Sequence, residues 1–89
     1  MDPQPPTDAV ERATADLAER LAVPPGAVEL VAQEEVTWRD GSLGCAQPGF
    51  SYTQALVPGS RITLRVDGTE YEYHAGGRGD PFLCADPSE

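Results

Sequence analysis

Lysine is absent from this chain of 89 residues, and histidine and tryptophan occur once each. All six basic residues are arginine, set against 15 acidic ones, for a net charge of −9. A surface so short of positive charge repels phosphate backbones and has no attraction for anionic lipid, so neither nucleic acid nor a membrane surface is an expected partner. Long apolar runs are also missing, and nothing approaches the ~20 residues of a membrane span. The phosphate-cradling G-x-x-x-x-G-K and G-x-G-x-x-G patterns and the nucleophile pattern G-x-S-x-G do not occur. The first residues, "MDPQPPTD", have neither a basic start nor an apolar stretch of the secretory kind. As written the chain is expected in the cytoplasm, and outside it if a leader was removed and its cysteines are oxidised.

What is present suits one small domain. Such a chain buries roughly 60% of its unfolded surface, so its stability is modest and a cross-link matters. Residues 1–7 are proline-rich and polar, with nothing to bury, and read as a disordered lead-in. From Asp8, Val10, Ala13, Leu17, Ala18 and Leu21 recur at helical spacing, with Asp8 and Glu11 placed as a capping box; "VPPG" (23–26) ends the helix. Residues 27–38 read as a long strand, with Val28, Leu30, Ala32, Val36 and Trp38 on one parity. Glu34 and Val31 break the alternation, which points to a bulge near Ala32–Glu35 or to cover on both faces.

Asp67-Gly68 lies between alternating runs and predicts a two-residue type I′ hairpin over 61–75. That turn sets Val66 opposite Thr69, Leu64 opposite Tyr71, Ile62 opposite Tyr73 and Arg61 opposite His74. Ile62, Leu64, Val66, Tyr71 and Tyr73 then face inward. Arg61, Thr63 and Arg65 meet Glu70, Glu72 and His74 on the solvent side. "PFLCA" (81–85) reads as a short last strand and 86–89 as a fraying tail. The expected fold is a two-layer α+β domain over 8–85, an N-terminal helix on a three- or four-stranded, mainly antiparallel sheet.

For Cys45 and Cys84 a structural disulfide is the first reading. It would close a loop of about 40 residues and stabilise by roughly 4 kcal/mol in the chain-entropy model. Two buried free thiols come second. A zinc site using His74 lacks any C-x-x-C or H-x-x-H spacing. A Cys–His nucleophile pair lacks recognisable orienting and oxyanion groups. Glu34 and Glu35, adjacent in a strand, point to opposite faces and cannot pair as carboxylates. No catalytic residue, metal ligand or cofactor is assigned, and an enzyme is not expected.

Residues 39–60, "RDGSLGCAQPGFSYTQALVPGS", form the longest connection, and connections of that length inside compact domains are often functional. Gln47, Pro48, Gly49, Phe50 and Tyr52 are the expected partner-binding residues, on a loop stiffened by a cross-link at Cys45. The competing reading folds Phe50, Tyr52, Leu56 and Val57 inward to cap the sheet. The expected role is a non-enzymatic protein-binding module, with a protease inhibitor using the same loop as the alternative, and a structural domain without independent activity as the next. An exposed outer strand makes the chain a monomer or a weak homodimer. Arg78-Gly79-Asp80 spells the integrin-ligand tripeptide, although a tight turn into the last strand explains the same residues.

Trp38, Asp40, Ser42–Cys45, Pro48, Gly49, Tyr52 and Gln54, followed by Pro58, Gly59, Arg61, Tyr71, Tyr73 and His74, make a W-x-D-x-S-L-G-C-x-x-P-G-x-x-Y-x-Q loop with a Y-x-Y-H hairpin. This resembles a widespread small bacterial domain of unknown function, with Ser60 standing where that pattern has an aromatic. The resemblance implies the fold and the importance of residues 38–54, and it brings no catalytic or binding residues.

Overall fold

A computed structural model describes residues 7–76 and 80–88. One helix, α1 (Thr7–Leu21), precedes a single 3-10 turn (Pro25–Ala27) and four strands: β1 (Glu29–Trp38), β2 (Val57–Val66), β3 (Thr69–Gly76) and β4 (Phe82–Leu83). The sheet is an antiparallel meander in the order β1-β2-β3-β4. The expected α+β architecture holds, with four strands among the described residues, each paired antiparallel to its neighbour. The side chain of Asp8, read as part of a capping box, lies outside the described residues, as do Arg78 and Gly79 of the Arg-Gly-Asp match.

The helix ends one turn before the prolines. Ala22 takes a left-handed backbone (φ 57°), Ala22 N–H donates to Glu19 O at 3.3 Å, and Val23 N–H donates to Ala18 O at 3.0 Å. This is a Schellman closure, with alanine where glycine is usual.

The β2–β3 register is the one the turn demands, from Val66↔Thr69 through Arg61↔His74, and it continues to Gly59↔Gly76. Asp67 (φ 51°) and Gly68 (φ 81°) are both left-handed, as a type I′ turn requires. Strand β2 begins at Val57, four residues ahead of the expected start, because Val57–Ser60 pair with Glu35–Trp38. Pro58 is tolerated there since the β3 ladder stops at Gly59.

On one sheet face, Ala13 and Leu17 of α1 meet Ile62, Leu64 and Val66 of β2 and Tyr73 of β3. Full burial of each large side chain there contributes about 1.5–3 kcal/mol. Strand β1 lies outside this contact. Its register jumps from Leu30↔Leu64 to Ala32↔Thr63, leaving Val31 as the bulged residue. The bulge therefore falls ahead of the expected Ala32–Glu35 span. It turns Ala32, Val36 and Trp38 to the face away from the helix, so the single apolar row from Val28 to Trp38 is split between two faces.

Tyr73 links the core to the helix surface. Its Oη donates to Asp16 Oδ2 at 2.6 Å, and Arg20 Nε donates to the same oxygen at 2.6 Å. The Tyr73 bond, then the Arg20 bond, hold the Asp16 carboxyl below its usual range. Burial, reinforced by that carboxylate, pushes the Tyr73 phenol up. Asp40 is held down in the same sense by Ser42. Carboxyls depressed in the folded state contribute stability that is complete above their unfolded value, ~3.9, and lost as pH falls through the lower folded values. Urea midpoints are therefore expected to be level down to about pH 5 and to drop below it. In Tyr73→Phe the drop should be shallower. An identical acid limb in that variant would exclude the Tyr73 bond as a contributor, since Arg20 still holds Asp16.

Candidate functional site

The second face of the sheet is where the sequence reading needs most correction. His74, expected on the solvent side of the hairpin, is 0% exposed. The connection 39–56 folds over this end of the sheet and makes a second buried cluster. Trp38 stacks on His74 with ring centroids 4.5 Å apart, Phe82 meets the same imidazole edge-on at 6.2 Å, and Arg61 lies over the indole at 5.5 Å. Trp38 Nε1–H donates to Ala75 O at 2.9 Å. Polar side chains complete the cluster: Arg61 Nε donates to Glu72 Oε2 and Arg61 Nη1 to Glu34 Oε1, each at 3.1 Å. Glu34 faces this cluster while Glu35 takes the opposite face, as their adjacency in a strand requires.

The covering loop is built from tight turns. Asp40 Oδ1 accepts from Ser42 N–H at 2.9 Å and from Ser42 Oγ at 2.6 Å, an Asx turn. Cys45 N–H donates to Ser42 O at 3.1 Å across Leu43 (φ 56°) and Gly44 (φ 76°), both left-handed. Glycine is required at 44, where a Cβ would come within 2.4 Å of the indole and 3.2 Å of the His74 ring. Leucine in that region costs about 1–2 kcal/mol and persists only where surroundings impose it. Here the imposing groups are Asp40, the His74 ring and the Cys45–Cys84 disulfide, whose Cα atoms are 5.9 Å apart. Ser88 adds two ties: its N–H donates to Gly44 O at 2.8 Å, and its Oγ accepts from Ala46 N–H at 3.1 Å.

Beyond Cys45 the loop turns outward. Gln47-Pro48-Gly49-Phe50 is a type II turn, with Phe50 N–H donating to Gln47 O at 3.3 Å and Gly49 at φ 84°. Gln47 N–H donates to Tyr52 Oη at 3.1 Å, and the Phe50 and Tyr52 rings lie 6.4 Å apart. Gly41 N–H closes the loop base on Thr53 O at 2.8 Å. Gln47, Pro48, Gly49 and Phe50 are all exposed, while Tyr52 and Val57 are half-buried. Phe50 is 66% and Leu56 71% exposed, so the reading that folded them inward over the sheet is overturned. The space over the sheet is already filled by Leu43, Gly44, Trp38 and His74. One signal in the sequence bears on this arrangement: residues 41–60 contain no charged residue, in a chain with 15 acidic and six basic ones.

Among the described residues no three His, Cys, Asp or Glu side chains group to hold a metal ion, and no helix is long and apolar enough to cross a membrane. Asp80 of the Arg-Gly-Asp match forms an ion pair with Arg12 of the helix. The molecule is thus a small disulfide-tied α+β domain with one ordered, outward apolar loop. Residues 10–84 match the family described as a domain of unknown function, DUF8738, and the chain belongs to that family. No curated protein and no solved structure matches it.

Proposed function

We propose that this domain is a non-enzymatic protein-binding module whose contact surface is the tethered loop, with Phe50 and Leu56 as its apolar anchors. The exposure of Phe50 beside a hydrogen-bonded turn carries this reading. A large ring held in water by an ordered backbone loses little further freedom when it docks. The surrounding stretch without charge has the composition of an interface centre, where charged residues are depleted and aromatics favoured. A catalytic role is disfavoured by engagement: both cysteines are joined, Ser42 Oγ is held by Asp40, and both His74 ring nitrogens are occupied in a buried site.

A protease inhibitor is the narrower second reading. Residues 51–56 have no regular hydrogen-bonded structure and run between two outward apolar side chains, the form of chain a protease cleft accepts. One set of variants addresses both. A partner retained by the wild-type chain should bind Phe50→Ser at least roughly 30-fold more weakly, the effect of losing a hot-spot side chain of about 2 kcal/mol. Asp67→Ala, at the far hairpin, should bind unchanged. A panel of serine, cysteine and metalloproteases titrated with the same proteins reads inhibition. Partners indifferent to Phe50→Ser would remove the loop from the contact, and flat activity curves throughout would remove the inhibitor.

A further inference from the structure

Strand β1 is the longer of the two sheet edges, since β4 at the other edge has only two residues. Its outer side pairs with no strand among the described residues, so alternate residues direct N–H and C=O away from β2 into solvent. From Glu29 to Thr37 every side chain except Val36 is exposed, Leu30 at 48% and Val31 at 40% among them. The helix core rests on β2 and β3 and stops short of this edge.

The bulge gives the edge a pattern. Because Val31 drops out of the count, Leu30 (opposite Leu64) and Glu35 (opposite Ser60) lie four strand positions apart on the helix side. Gln33, opposite Ile62, lies between them. Around Glu35 the helix side opens into a groove of about 350 Å³ lined by Ala9, Gln33, Glu35, Pro58, Gly59 and Ser60. Its carboxylate, amide and hydroxyl oxygens accept hydrogen bonds, and Ala9 and Pro58 offer an apolar wall to an aliphatic stem. Glu29 and Glu34 are neutralised from β2 by Arg65 and Arg61, whereas Glu35 enters no ion pair among the described residues.

We propose that the β1 edge takes up an extended segment of another protein as an added outer strand, with a basic side chain of that segment seated against Glu35. Main-chain hydrogen bonds supply affinity, and the side chains on the helix side supply selectivity. They call for an apolar residue over Leu30 and an arginine or lysine four positions along, in the groove. A second copy of this chain does not meet that need. Strand β1 has no basic residue, so its own copy would bring no cation to Glu35. A bulge and charged side chains on an edge also oppose self-pairing. The net charge of −9 favours a basic segment over an acidic one. The groove lies on the helix side of the sheet and the tethered loop on the other, so this inference stands apart from the role proposed for the loop.

The probe is a capped synthetic peptide as long as β1, 10 residues, alternating threonine with apolar residues and carrying leucine and arginine four positions apart on one face. In ¹⁵N-labelled protein it should shift the amides of Ala32–Thr37 and slow their hydrogen exchange, leaving those of residues 41–54 in place. Unmoved β1 amides at about 1 mM peptide overturn the proposal. Glutamate in place of the peptide arginine, or Glu35→Arg in the protein, should each weaken binding roughly tenfold, and the two together should restore it. Glu19→Arg makes the same charge change on an exposed part of α1 and should leave binding within about twofold. Equal weakening by Glu19→Arg, or no recovery in the charge swap, overturns the seat at Glu35. Protection of β1 that grows with protein concentration in the absence of peptide would make the occupant a second copy, and overturns it as well.

Discussion

Reducing the Cys45–Cys84 disulfide should lower the free energy of unfolding by about 4 kcal/mol, the chain-entropy value for a closed loop of this length. In a domain of this size that corresponds to a fall in Tm of roughly 15–30 °C. The bridge joins the loop to the end of β4, and it is the covalent member of a group of ties that hold residues 39–54 against the outer sheet face. The others are hydrogen bonds: Gly41 to Thr53, His74 to Leu43, and Ser88 to Gly44 and Ala46. Each contributes about 1 kcal/mol, less than the bridge. Loss of the disulfide should therefore release the loop first and expose Trp38, while the α1–β2–β3 core, whose side chains lie on the opposite face, unfolds later. Urea unfolding of the oxidised protein, the reduced protein and Cys45→Ala/Cys84→Ala checks this, with Trp38 fluorescence reporting the loop and circular dichroism the whole fold. Coincident curves within about 1 kcal/mol across the three would show that the loop is held without the bridge.

Elements that rest on neighbouring residues were legible in the sequence; those that rest on what covers them were not. The hairpin could be read to the residue pair because Asp67-Gly68 fixes the register and the alternation on either side fixes the faces. The helix could be read from five apolar positions. The pairing of Cys45 with Cys84 followed from there being two cysteines and a glycine-rich segment that needed anchoring. Trp38 and His74 were harder. Parity alone puts Trp38 with Leu30, and only the bulge at Val31 moves it across. Parity puts His74 outside, which is where it is, but outside is not exposed when a loop folds back over that face. The fate of Phe50 depended on the same fact. Once Leu43 and Gly44 occupy the space above the indole, the aromatics further along have no site to enter and stay in solvent.

The spacing of glycines around Trp38 states how tightly that second cluster is packed. A Cβ at Gly59 would lie 2.0 Å from Ala75 O and 2.6 Å from Trp38 Nε1, the two atoms that share the buried hydrogen bond. Neither can yield cheaply, since one belongs to the β3 backbone and the other to a ring enclosed on every side. Gly59→Ala should therefore cost more than about 3 kcal/mol, the upper range for overpacking, and should break the Trp38–Ala75 bond as well. Gly44→Ala combines a 2.4 Å approach to the indole with a left-handed backbone and should be of similar severity. Gly49→Ala is the control: it shares the left-handed conformation at φ 84° but has no atom within 4 Å, so only the backbone term of about 1 kcal/mol remains. Thermal or urea unfolding of the three variants separates steric exclusion from backbone strain. A Gly59→Ala protein as stable as Gly49→Ala would mean that the indole has room to move, and that the loop above it is not the close-fitting cover that holds Phe50 outward.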